Sequence, residues 1–238
     1  MFVIRASLAR RIRLVAVAAL STAAVALIST PVLADPGGEK TYRITIENLT
    51  PDLGGGASQV LSPPLIVVHT RKADLFSVGE PANQAVADMA EDAVGATGIA
   101  LLSGSPDVLS VEQPGAPILP GQSASYEVMT RGNAHLLSLV TMLVSTNDAF
   151  TGVDAVRLTG PGDEYYAMAY DAGSEVNDQL EANIPGPCCE DMGRNGTDEF
   201  GVITHHPGIQ MGVGDLDPAM WGWDTAAPVA KITVERLR

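Results

Sequence analysis

The sequence predicts one large all-β domain that carries a short helix and a long irregular C-terminal connection. Two segments, Thr41–Leu49 and Ser123–Thr130, alternate apolar and polar residues with the period of a half-buried strand. Two apolar runs, His135–Val144 and Tyr165–Tyr170, each end abruptly in small and acidic turn residues. Roughly 200 residues follow a leader segment, a length that suits a single domain.

The leader occupies residues 1–34 and has the order of a secretory signal peptide. Four arginines and no acids come first, an apolar stretch runs from Leu14 to Ile28, and Val32-Leu33-Ala34 forms a small-residue cleavage site. A transmembrane anchor is the alternative, but the apolar core is shorter than the roughly 20 residues that span a bilayer. The sequence therefore predicts export to the periplasm, the cell surface or the medium, with no membrane span after the leader is removed.

The charge balance restricts the partners. The chain has a net charge of −14, and removal of the four leader arginines leaves 10 basic against 28 acidic residues. Nucleic acid and anionic membrane surfaces should repel such a chain. Divalent cations are tolerated, although an acidic surface by itself serves solubility and does not indicate a metal.

The first half of the predicted domain, residues 41–238, begins with the strand Thr41–Leu49. A short buried strand is predicted at Leu65–His69. Apolar residues at helical spacing within Pro81–Val94 predict one short helix that covers an edge of the sandwich. Gly95–Val111 is predicted as a loop followed by a short strand.

The second half is predicted to start with a hairpin, in which a turn at residues 131–133 joins Ser123–Thr130 to the run His135–Val144. His135 itself is predicted at an edge, partly exposed. A closing strand is predicted at Val229–Leu237. Further acids are predicted to lie in surface turns between the two apolar runs, namely Asp154, Asp163 and Glu164.

Three carboxylates mark the ends of the two apolar runs. Asp148 follows the first run, and Asp171 and Glu175 follow the second. If the two strand ends lie side by side, these carboxylates converge, and like charges at short range raise one another's pKa. A hard cation such as Ca²⁺ resolves this repulsion and prefers oxygen ligands. The pattern therefore predicts a calcium site.

The same segments resemble the spondin domain, the N-terminal part of F-spondins and of many bacterial secreted proteins. The similarity lies in MLVSTNDAFTG at residues 142–152, YDAGSE at residues 170–175 and the final strand VAKITVERL. It implies an eight-stranded antiparallel β-sandwich, similar to C2 domains, with Ca²⁺ at one end. The ligands would be Asp148, Asp171 and Glu175, the last at a position that is usually Asp in the animal proteins. The resemblance also implies adhesion to a protein or glycan at the cell surface or in the extracellular matrix.

The segment Val176–Ala227 has little periodicity and is long for a connection without structure. It contains the adjacent Cys188 and Cys189, for which a vicinal disulfide, a free pair or intermolecular links are the options in an exported protein. Zinc held with His205-His206 is a further option, although adjacent ligands strain tetrahedral geometry. The two histidines are predicted in an exposed turn. Trp221-Gly222-Trp223 is interpreted either as a binding platform or as packing onto the sandwich.

The motifs indicate a protein that is not an enzyme. The sequence contains no Gly-x-Ser-x-Gly, no His-Glu-x-x-His and no phosphate-binding glycine loop. The leading hypothesis is an exported calcium-binding module for adhesion or surface interaction. The alternatives are a secreted carbohydrate-acting hydrolase that uses Asp148 and Asp171, and a structural module without metal.

Overall fold

Two antiparallel β-sheets pack face to face in the computed structural model. It describes residues 38–53, 59–160, 162–189 and 196–237, so the predicted signal peptide at residues 1–34 lies outside the described residues. The described part contains ten strands and three short α-helices. The predicted all-β sandwich is confirmed, with two strands more than the eight that the resemblance implies.

The strands are numbered β1 to β10 in chain order. The first sheet has the strand order β4-β1-β10-β7. Its strands are β1 Lys40–Asn48, β4 Ser123–Thr130, β7 Asp163–Ala167 and β10 Ala230–Arg236. The second sheet has the order β3-β2-β5-β6-β8-β9. Its strands are β2 Leu65–His69, β3 Val108–Glu112, β5 Leu136–Met142, β6 Ala149–Arg157, β8 Ala169–Asp171 and β9 Thr204–His205.

The main core lies between the two sheets. In β1, Tyr42, Ile44 and Ile46 are fully buried while the residues between them are half-buried, as the alternation predicts. Their partners across the core include Leu137 and Leu139 of β5. All seven residues of β5 are buried, so this strand is covered on both faces.

Helix α1, Gln84–Asp92, covers the outer face of β5. Its Val86, Met89 and Ala90 pack with residues of β2, β5 and β6 in a second apolar cluster. The helix is confirmed, but it lies on the face of the second sheet and not at an edge. The prediction of a loop at the start of Gly95–Val111 was wrong, because helix α2 occupies Gly95–Leu102 before β3.

The predicted hairpin between β4 and β5 was wrong. These strands belong to different sheets, and the turn at residues 131–134 carries the chain from one sheet to the other. Their burial explains the separation, since β4 alternates between exposed and half-buried or buried residues whereas β5 is buried throughout. A strand buried on one face fits a sheet whose other face meets solvent, whereas a strand buried on both faces fits a sheet that is covered on both sides.

The second apolar run, Tyr165–Tyr170, also divides between the sheets. Its first part lies in β7, which pairs with β10, and its last part forms β8, which pairs with β6. Strand β6 was not predicted. The prediction that Asp154, Asp163 and Glu164 lie in turns was therefore wrong: Asp154 is in β6 and the other two are in β7.

The segment after β8 forms a third, smaller apolar cluster. It contains a 3₁₀ turn at Glu181–Asn183 and helix α3, Pro218–Trp221. Cys188 and Cys189 are joined in a vicinal disulfide, with an S–S distance of 2.04 Å. Buried Ile184, Cys189, Ile209 and Leu216 form this cluster, and Cys188, Trp221 and Trp223 pack against it. Trp223 also packs against the core between the sheets, so packing onto the sandwich is confirmed for Trp223, whereas Trp221 packs against this smaller cluster. Across the described ranges, no helix is long and apolar enough to cross a membrane.

Candidate metal centre

Pairing of β6 with β8 brings Asp148 next to Asp171. Ala149 is the register partner of Asp171, and the amide of Ala172 donates to the carbonyl oxygen of Asp148 at 3.2 Å. The predicted convergence of these two residues is therefore present, but its structural reason differs from the expected one. β5 does not lie beside β8, because β6 lies between them. Asp148 is placed by the start of β6, not by the end of β5.

The carboxylate of Asp148 is fully buried and only half-satisfied. Its Oδ2 accepts hydrogen bonds from the amides of Ser174 at 2.8 Å and Glu175 at 3.0 Å, and from the Ser174 hydroxyl at 3.2 Å. Its Oδ1 is buried and has no hydrogen-bond partner among the described residues. A buried carboxylate oxygen without a donor destabilises the fold, because the oxygen loses its hydrogen bonds to water on folding and forms none within the protein.

The environment of Asp148 opposes ionisation. Burial, and then the negative charge of Asp171, raise the pKa of Asp148 from 3.8 to about 7, against the lowering effect of the Glu175 and Ser174 hydrogen bonds. Burial also raises the pKa of Asp171, although the amide of Gly173 at 2.7 Å and the Asn177 side chain at 2.5 Å support its anion. Two carboxyl groups buried next to each other therefore favour either protonation or a bound cation.

Glu175 reaches this centre with its backbone. Its amide donates to Asp148, whereas its carboxyl group packs against Gly196, where an added Cβ would overlap it. Within the described residues, no three side chains of histidine, cysteine, aspartate or glutamate are arranged as a metal-binding group. Asp148 and Asp171 are the two carboxylates that adjoin each other here, since the charge of Asp171 acts on Asp148. Further ligands at this position would be neutral oxygens, or Glu175 after a side-chain movement.

A buried histidine supports the far side of Asp171. The expectation that His205 and His206 lie in an exposed turn was wrong for His206, which is 4% exposed. His205 is exposed as expected, but it lies in strand β9 and not in a turn. The amide of Gly208 donates to Nδ1 of His206 at 2.9 Å, so the ring proton resides on Nε2. Nε2 then donates to Oδ1 of Asn177 at 3.0 Å, and Asn177 donates through Nδ2 to Asp171.

Burial keeps His206 neutral and lowers its pKa from 6.5 to about 4. Both ring nitrogens are engaged in hydrogen bonds, and the cysteine sulfurs are bonded to each other. These residues are therefore not arranged as the zinc set that the sequence left open. Asn177 and His206 were missed as parts of the site because the segment after Glu175 has no periodic pattern, and its only signal was the pair of histidines.

The residue before Asp148 secures the loop that follows Glu175. Asn147 donates through Nδ2 to Asp178 at 3.0 Å and accepts from the amide of Gln179 at 3.2 Å. Gln179 has a positive φ of 54°, a conformation that favours glycine. Through these two hydrogen bonds, Asn147 ties the turn before β6 to the loop at Asp178 and Gln179.

The profiles of known protein families do not match this chain, and a search of curated proteins finds no significant similarity. The spondin resemblance therefore stays a prediction that rests on the motifs. What the fold and the site define is an all-β sandwich with a buried carboxylate pair at one end of its larger sheet.

Proposed function

We propose that this protein is an exported, non-enzymatic β-sandwich module that binds one Ca²⁺ at the Asp148 end and serves adhesion at the cell surface or in the matrix. The observation that carries the calcium part is the buried Oδ1 of Asp148, which has no hydrogen-bond partner among the described residues, in a carboxylate that also feels the charge of Asp171. Asp148 and Asp171 would hold the ion, and Glu175 is the third ligand that the spondin resemblance implies.

The size of the electrostatic penalty favours a bound cation. One pKa unit corresponds to about 1.4 kcal/mol. The rise of the pKa of Asp148 from 3.8 to about 7 therefore means that its anion destabilises the metal-free fold by an amount on the order of 4 kcal/mol. A divalent cation between the two carboxylates would remove this penalty and add an attraction.

The donor set favours calcium over softer metals. Carboxylate oxygens line the centre, His206 has both nitrogens engaged, and the cysteines are oxidised. Hard oxygen donors suit Ca²⁺, which also accepts backbone and amide oxygens in a flexible arrangement. A site with two carboxylates and neutral oxygens is within that range.

The burial of the carboxylates supports a role without catalysis. A glycosidase needs two carboxyl groups that flank a bound sugar in an open cleft. Asp148 is 0% exposed and Asp171 8% exposed, so a sugar ring cannot reach between them in this conformation. The adhesion part of the proposal rests on the spondin resemblance and on the predicted export.

The test is calcium-dependent melting of the chain without its leader. Saturation at 100 times Kd stabilises the folded state by about 2.7 kcal/mol, which for a domain of this size raises Tm by about 5–10 °C. Asp171→Asn should abolish the shift, and EDTA should reverse it in the parent. Glu127→Gln, an exposed acid on β4 of the other sheet, is the matched control and should keep the shift. Absence of both a calcium shift and bound metal in the parent would contradict the proposal.

A further inference from the structure

A group of cationic side chains lies at the opposite end of the second sheet from Asp148. The register pairs His69 of β2 with Leu136 of β5, and Leu136 with Arg157 of β6. Arg71 and Lys72 follow β2 after Thr70, so they lie at the same end of the three neighbouring strands as Arg157. Adjacent strands are about 4.8 Å apart, which puts β2 and β6 about 10 Å apart.

A cleft of about 440 Å³ opens beside this end of the sheet. The residues that line it are Thr70, Arg71, Lys72, Asp107, Asn133 and His135. Arg71 and Lys72 are exposed, and the ring of His135 is half-buried. Asp107 is the one acid among the lining residues, and its Oδ1 accepts a hydrogen bond from the Thr70 hydroxyl at 2.8 Å. The lining therefore carries two full positive charges against one negative charge.

These cations differ from three others in the described part of the chain. Arg43, Arg131 and Lys231 each form an ion pair with a glutamate. No ion pair joins Arg71, Lys72 or Arg157 to any described residue. On a chain with a net charge of −14, three grouped cations that form no ion pair with described residues make this part of the surface locally positive.

We propose that this cleft binds the anionic groups of an acidic polysaccharide, either carboxylates or sulfates. The guanidinium group of Arg71 suits two-point contact with such a group, and Lys72 adds a point charge. The Asn133 amide and the His135 ring line the same cleft and supply further polar groups. Arg157 extends the positive end of the sheet beyond the cleft, which suits a chain with repeated anionic groups better than one small ion.

The high charge density of nucleic acids argues against them as ligands of this cleft. Duplex DNA carries one negative charge per about 1.7 Å, and a protein of net charge −14 repels such a polymer strongly. Binding of single strands uses aromatic side chains on which bases stack, and no phenylalanine, tyrosine or tryptophan is among the residues that line the cleft. Acidic polysaccharides carry their charges further apart and need no stacking platform.

The experiment measures binding of the chain without its leader to single-stranded DNA and to three immobilised oligosaccharides of equal length: a polyuronate, a sulfated glycan and a neutral glucan. The parent should bind one or both acidic probes and not the neutral one, and the preferred probe identifies carboxylate or sulfate as the ligand group. Arg71→Gln with Lys72→Gln should weaken binding at least tenfold and reduce its salt dependence. Arg157→Gln should weaken binding to a smaller extent.

The matched control is Arg43→Gln with Lys231→Gln, which removes the same charge from residues that already have acidic partners. It should bind as the parent does. Equal loss in both double variants, no binding of either acidic probe by the parent, or equally tight binding of single-stranded DNA would overturn the proposal. Binding should persist in EDTA. Loss of oligosaccharide binding in EDTA would place the ligand at the calcium end of the sheet and would overturn this cleft as the site. If the protein binds no calcium, the proposed function fails, but oligosaccharide binding at this cleft is unaffected.

Discussion

His206 and Asp171 are connected through one side chain. Nε2 of His206 lies 3.0 Å from Oδ1 of Asn177, and Nδ2 of Asn177 lies 2.5 Å from Oδ2 of Asp171. The chain of donors starts at the amide of Gly208 and ends on the carboxylate that adjoins Asp148. One buried network thus contains two groups whose pKa values burial moves in opposite directions, since that of Asp171 is raised and that of His206 is lowered.

Asp148 should destabilise the metal-free protein as the pH rises. Its carboxyl group ionises at a pH of about 7 in the folded state and near 3.8 in the unfolded chain. Its stabilising contribution is therefore present below the lower value and is lost as the pH rises through about 7. In EDTA, Asp148→Asn should unfold at higher urea than the parent at pH 8, with a smaller difference at pH 4. Parallel stability curves for the two proteins would contradict this assignment.

His206 should produce the opposite pH dependence. Its folded pKa of about 4 lies below the unfolded value of 6.5, so its contribution is present above pH 6.5 and is lost as the pH falls through about 4. Between pH 7 and pH 4 the parent should lose about 3 kcal/mol relative to His206→Gln. His205→Gln, at an exposed position, is the control and should follow the parent. If the stability of His206→Gln falls between pH 7 and pH 4 as steeply as that of the parent, His206 is not the source of the pH dependence.

Calcium binding should release a proton when the pH is below 7. Asp148 is largely protonated at pH 6 if its pKa is about 7, and a cation that binds its anion must displace that proton. Calorimetric titrations in buffers of different ionisation enthalpy should show close to one proton released at pH 6 and far less at pH 8. Proton release that does not change with pH would show that the ion binds elsewhere.

Two phenylalanines provide a matched pair for the core. Phe150 is fully buried, and its ring lies 5.1 Å from that of Phe76 in an edge-to-face arrangement, whereas Phe200 is 88% exposed. Phe150→Ala should reduce the free energy of unfolding by about 3–5 kcal/mol. Phe200→Ala should change it by no more than about 0.5 kcal/mol. Urea denaturation measures both, and a similar cost for the two variants would contradict the described packing.

The vicinal disulfide should contribute little to stability. Its ring closes between neighbouring residues, so reduction frees almost no chain entropy. Cys188→Ala with Cys189→Ala should cost about 1 kcal/mol, from the packing that Cys189 provides beside Ile184 and Leu216. Calcium titrations of the double variant should match those of the parent. Loss of folding in this variant would show that the disulfide has a larger structural role.

The sequence pattern predicted a strand correctly where the same face of the segment is buried along its whole length. The alternation in Thr41–Leu49 and Ser123–Thr130 predicted β1 and β4 within one residue at each end, because one face of each strand is turned to the core. Strand β6 was not predicted because its sequence, AFTGVDAVR, joins five buried residues to four that alternate between half-buried and exposed. The hairpin between β4 and β5 was predicted wrongly because turn residues show where the chain changes direction. They do not show which strands then pair.

The sequence by itself determined strands β1, β2, β4, β5 and β10, the buried face of helix α1 and the positions of the acids that follow Val144 and Tyr170. Tertiary structure alone decided that β6 lies between β5 and β8, that Glu175 contributes its amide to Asp148, and that His206 supports Asp171 through Asn177. Periodicity reports the surroundings of a few consecutive residues. Contacts between Asp148 and Ser174, or between Asn177 and His206, join residues that are 26 and 29 positions apart, and only strand pairing and loop packing bring such residues together.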